Sequence, residues 1–102
     1  MRAFKPRLGA TVNIDVSSSN QRTLLGYDRG DVEVRVMNNG SATTWITFGD
    51  SSATASTSTG IPVGPGVTEV LRTRSADGSP LYVAAIAAGS TGKIYFTPGS
   101  GI

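Results

Sequence analysis

The 102 residues carry nine basic and seven acidic side chains, a formal charge of +2, and neither histidine nor cysteine. That length suits one domain. Without histidine the commonest general base and imidazole metal ligand are missing, and without cysteine there are no disulfides and no thiol chemistry. Charged residues are only 16%, below the usual quarter. Hydroxyl residues and glycine take their place, and a charge of +2 lacks the clustered cations of a nucleic-acid binder. No apolar run reaches membrane-spanning length and no signal-peptide core is visible. The expectation is a chain of the cytosol, with no membrane, nucleic-acid or cofactor partner.

Residues 1–9 hold Arg2, Lys5 and Arg7 around Phe4 and Pro6 and read as an extended arm, since Pro6 interrupts a ladder. Thr11 to Val16 alternates Val12, Ile14 and Val16 with polar residues, which predicts a first strand. Arg22 to Leu25 predicts a second, after the turn residues Ser17 to Asn20. Asp31 to Phe48 is the strongest signal. Val32, Val34 and Val36 alternate with Glu33 and Arg35, Asn39-Gly40 supplies a tight-turn pair, and Ile46 and Phe48 share a face of the returning arm. That pattern predicts a β-hairpin.

Gly49 to Gly60 is a serine–threonine–alanine tract without large apolar residues. It predicts an exposed loop with a weak edge strand near 53–56. Ile61-Pro62-Val63 reads as an edge or bulge, and Val67 to Thr73 as a strand. Leu81 to Ala88 is almost continuously apolar and fits a strand or a helical turn by period, with Tyr82, Val83 and Ile86 favouring strand. Lys93 to Thr97 closes the set, and 98–102 reads as a tail. Seven to eight short strands with Gly, Pro and Asn punctuation predict an all-β fold over residues 1–102, an antiparallel β-sandwich, jelly roll or barrel.

No motif carries catalysis. Seven scattered carboxylates, most in turns or on the solvent side of strands, predict no enzyme. Asp28 and Asp31 could flank a hard cation, but without further oxygen ligands they read as turn residues. Asn39-Gly40-Ser41 matches a glycosylation sequon and is equally a turn. The cluster Arg2, Lys5 and Arg7 is either a solvated terminus or an arm that docks on an acidic neighbour. Trp45 is either packed or an interface anchor. A carbohydrate-binding module would use Trp45, Tyr27, Tyr82 or Tyr95 as stacking platforms.

Three stretches together carry a family likeness: Val34 to Gly40 running to Ile46–Gly49, Gly60 to Val63 running to Gly66–Val70, and Ile94 to Ile102. The layout resembles small all-β virion proteins of tailed bacteriophages. The resemblance implies a capsid decoration, or cement, protein on the outside of the head, with neck, tail or fibre components as the alternative. It implies the major capsid protein as partner, a dimer or trimer, and assembly in the host cytoplasm. On that basis Arg2, Phe4, Lys5, Arg7, Trp45 and Ile102 are the expected interface residues.

Overall fold

The computed structural model describes residues 5–7, 9–26, 30–75, 80–89 and 91–100. Among them are nine strands: β1 (Lys5–Pro6), β2 (Val12–Val16), β3 (Gln21–Gly26), β4 (Gly30–Asn38), β5 (Thr44–Gly49), β6 (Ile61–Val63), β7 (Thr68–Ser75), β8 (Leu81–Ile86) and β9 (Gly92–Ser100). They form two antiparallel sheets. The first runs β2–β9–β4–β7, with β1 continuing the β2 edge along β9, and the second runs β3–β8–β5–β6. The chain changes sheet at every connection from β2 to β9 except β5 to β6. Eight strands wound in this order are a jelly roll.

Alternation explains the layers. Ile14, Val16, Val32, Val34, Val36, Ile94 and Phe96 point inward from the first sheet, and Leu25, Ile46, Val63, Leu81, Val83 and Ala85 from the second. Together they form one contiguous core. Burying each such valine, leucine, isoleucine or phenylalanine is worth about 1.5–3 kcal/mol.

The segment from Asp31 to Phe48 is not a hairpin. Its two arms lie in different sheets, β4 against β7 and β9, and β5 against β6 and β8. The cause is Asn38. Its buried side-chain amide donates to the carbonyl oxygens of Ala42 (3.0 Å) and Val63 (2.9 Å), and its Oδ1 accepts from the Gly40 amide at 2.9 Å. These bonds turn the chain across the sandwich. Gly40 does not take the positive φ that a tight hairpin turn would need. It is required for space instead, because a Cβ there would stand 2.8 Å from the Thr91 carbonyl oxygen.

Three further segments differ from expectation. Gly49 closes β5 and residues 50–60 form no strand, yet the tract is anchored. Ala53 and Ala55 are buried against Ala84 and Ile86 on the outer face of the second sheet. The Arg22 guanidinium donates to the Ala53 carbonyl, and the Ala55 amide donates to Asn20 Oδ1. Small side chains suffice where a loop lies flat on a sheet, and this cover explains why β8 is apolar on both faces. Pro6 does not keep Lys5 and Pro6 out of the sheet, because they pair with Ser100 and Gly99 at its edge. Finally, Pro98 to Ser100 belong to β9 rather than to a tail, and Pro98 sits opposite Val34. Its missing N–H is tolerated where β1 and β2 leave a gap, and its carbonyl accepts from the Arg7 amide at 2.9 Å.

Candidate functional site

The described acidic side chains are dispersed, and three of them, Asp15, Glu33 and Asp50, hold structural hydrogen bonds. Asp15 accepts from Lys93 at 2.6 Å. That bond holds the Lys93 ammonium above the ordinary lysine range. Glu33 accepts from Arg72 Nε at 2.8 Å, with the carboxylate nearly buried and the guanidinium largely exposed. Asp50 caps its own turn, accepting from the Ser52 hydroxyl and amide, which hold its carboxyl below the usual range. Asp28 and Asp77 lie outside the described residues. Among the described residues no three metal-ligating side chains converge.

Of the expected interface residues the structure describes Arg7 and Trp45 and, by its backbone, Lys5. Arg2, Phe4 and Ile102 lie outside the described residues. Lys5 is placed by its backbone at the β1 edge, and Arg7 follows it, exposed, beside the turn that leads to β2. Trp45 is remote from them, on the outer face of the second sheet. It lies half-buried between its cross-strand neighbours Pro62 and Ile86. Gly60 makes room for it, since a Cβ at Gly60 would stand 2.9 Å from the Trp45 Cβ.

Among the described residues the aromatics form no shared platform. Tyr95 belongs to the outer face of the first sheet, beside a shallow depression lined by Thr11, Arg35, Met37, Asn39 and Thr97. Tyr82 shares the outer face of the second sheet with Trp45. The register sets Tyr82 opposite Gly49, four residues along β5 from Trp45, or about 13 Å. Tyr27 lies outside the described residues. This spacing gives a sugar ring no pair of adjoining stacking surfaces.

What the described strands do present is one long, uninterrupted edge. A jelly roll has four, and three here are blunted. β6 has three residues and contains Pro62, β3 breaks register between Leu24 and Gly26, and the β1–β2 edge is interrupted and contains Pro6. Such features block strand addition. β7 has none of them. Its eight residues pair with β4 without a register shift, and among the described strands none pairs with its other side.

Missed by sequence reasoning, this edge is also flanked by apolar side chains. Val67, just before the strand, and Val70, within it, are 39% and 41% exposed. The sequence signal was a strand with no proline and no glycine, Thr68 to Ser75, with both a valine and a leucine in it. Its position at an edge was not readable.

No protein-family model matches the chain, and no curated protein matches it. It is similar to a chain in the structure described as "Bacillus endospore appendages form a novel family of disulfide-linked pili". The alignment covers 96% of this chain and 88% of that one, at 16% identity and a TM-score of 0.45. The finding overturns the resemblance to phage decoration proteins. With it go the major capsid protein as partner and the virion surface as location. The physical reason is that the stretches carrying that resemblance are alternating strands and Gly/Pro/Asn turns, which any small jelly roll contains. Its centrepiece, the supposed hairpin, is a crossing between sheets. This chain has no cysteine and cannot make the disulfide links named for those pili.

Proposed function

We propose that the protein is a non-enzymatic structural subunit that associates with further copies of itself through the free edge of β7. The observation that carries this reading is the asymmetry among the four edges: three are short or interrupted, and the longest, β7, pairs with no described strand on its other side. An exposed row of unpaired N–H and C=O groups is a template for another strand. Exposed Val67 and Val70 add apolar area that leaves water on association. The charges of β7 are not set against it. Arg72 is bonded to Glu33 across the sheet, and Arg74 stands opposite Asp31 in register. The hydroxyl-rich, weakly charged surface imposes little repulsion between copies.

Sedimentation velocity across a concentration series tests this. The wild-type protein is expected to pass from monomer to dimer or larger species as concentration rises. The Val70→Pro variant is expected to stay monomeric with unchanged circular dichroism. A wild-type protein that sediments as a monomer at every concentration overturns the reading.

A further inference from the structure

The β7 edge constrains how a second copy can meet it. The Asn38 amide donates to the Val67 carbonyl at 3.0 Å. By the two-residue repeat, Val67, Glu69, Leu71 and Thr73 direct their main-chain groups at β4. Thr68, Val70, Arg72 and Arg74 direct theirs at the free side. Side chains alternate too. Leu71 packs inward against the core, with Glu69 and Thr73 of the same parity, while Val70 and Arg72 belong to the outer face.

A second copy that adds its own β7 antiparallel, by a two-fold axis normal to the sheet, continues the sheet with both outer faces on the same side. Opposed residues must then share a face, so the axis passes through a residue and not between two. Near the middle of the strand four centres exist. Glu69 on the axis sets two carboxylates face to face, and Arg72 sets two guanidiniums, each a destabilising like-charge pair. Val70 on the axis puts Glu69 against the core-facing Leu71 of the second copy. It also aligns only Thr68 to Arg72 strand against strand.

Leu71 on the axis avoids all three faults. Leucine meets leucine at the edge of the core, Glu69 meets Thr73, and Val70 meets Arg72, whose charge Glu33 already compensates. The aligned length rises to Thr68–Arg74. We propose, resting on the self-assembly reading, that two copies join as a two-fold dimer with β7 paired to β7 in the register that places Leu71 opposite Leu71. The two first sheets become one sheet of twice the width.

The absence of cysteine makes the register directly measurable. Leu71 lies at a non-hydrogen-bonded position of the new pair, where opposed Cα atoms are about 4.5 Å apart, within disulfide range. Under mild oxidation the Leu71→Cys variant is expected to run at twice the monomer mass on a non-reducing gel. Since Leu71 touches the core, a second measurement avoids it. Glu69→Cys mixed with Thr73→Cys is expected to crosslink, and either alone is not.

Self-crosslinking of Val70→Cys, with none in the Glu69→Cys and Thr73→Cys mixture, overturns this register in favour of the Val70 axis. A wild-type protein that sediments as an oligomer while no β7 variant crosslinks overturns the β7 dimer. A wild-type monomer overturns self-assembly itself.

Discussion

The side-chain amide of Asn38, at the end of β4, donates to the main-chain carbonyl of Val63 in β6, 2.9 Å away and fully buried. One bond therefore ties the first sheet to the far edge of the second, and a second bond from the same nitrogen fixes the crossing at Ala42. Replacing Asn38 with alanine strands two carbonyl groups and the Gly40 amide. The expected loss is about 2–4 kcal/mol, from the desolvation of groups left unpaired. Asn38→Asp should lose a similar amount, because a carboxylate cannot donate to either carbonyl. Equilibrium denaturation by urea, with an unchanged slope, is the check.

Gly40 tests the same crossing by sterics. A Cβ there meets main-chain oxygen at 2.8 Å, which has no soft side chain to yield. Gly40→Ala should destabilise by about 1–3 kcal/mol, the usual cost of overpacking. At Gly89, where a Cβ meets nothing within 4 Å, the same substitution should cost far less. The difference in denaturation midpoint between the two variants measures it.

Thr44 is buried in β5, and its hydroxyl has no hydrogen-bond partner among the described residues. Thr44→Val keeps the branched shape and removes the unpaired group. It should be neutral or stabilise by about 1 kcal/mol, within the range set by an unsatisfied buried hydroxyl. A lowered melting temperature would show that the hydroxyl is satisfied in solution.

The Lys93–Asp15 pair predicts a pH dependence at the alkaline end. Lys93 titrates above its ordinary value because Asp15 accepts its hydrogen bond. The stabilisation is therefore fully present below the unfolded lysine value, about 10.4. It is lost as pH rises through the raised folded value. Asp15→Asn should bring the Lys93 titration back down, read by NMR at the side-chain methylene next to nitrogen. Both groups are exposed, so the neutral-pH melting temperature should barely move.

The 50–60 loop gives a local test. Ala55→Asp places a charge under the loop, against Ala84 and Ile86. The loop should then become cleavable by a broad-specificity protease around Thr57 and Ser58, while the two-layer core stays folded. Global unfolding instead would show that this small cluster is part of the main cooperative unit.

The sequence by itself determined the class and most of the strands. Val32, Val34 and Val36, or Ile94 and Phe96, can bury one face only if the chain is extended, because alternation of side chains is a property of the backbone. Lack of histidine and cysteine likewise removed whole chemistries without any fold. Which strands become neighbours was decided only in three dimensions. Asn39-Gly40 favours a local hairpin turn, but the buried amide of Asn38 finds partners at Ala42 and Val63 and sends β5 to the other sheet. Ala53 and Ala55 look too small to hold a loop until the outer face of β8 lies beneath them. β7 reads like any other strand, and its open edge exists because the jelly-roll winding sets it last in its sheet. Pairing partners and edges depend on contacts between residues far apart in the chain, and no local pattern encodes those.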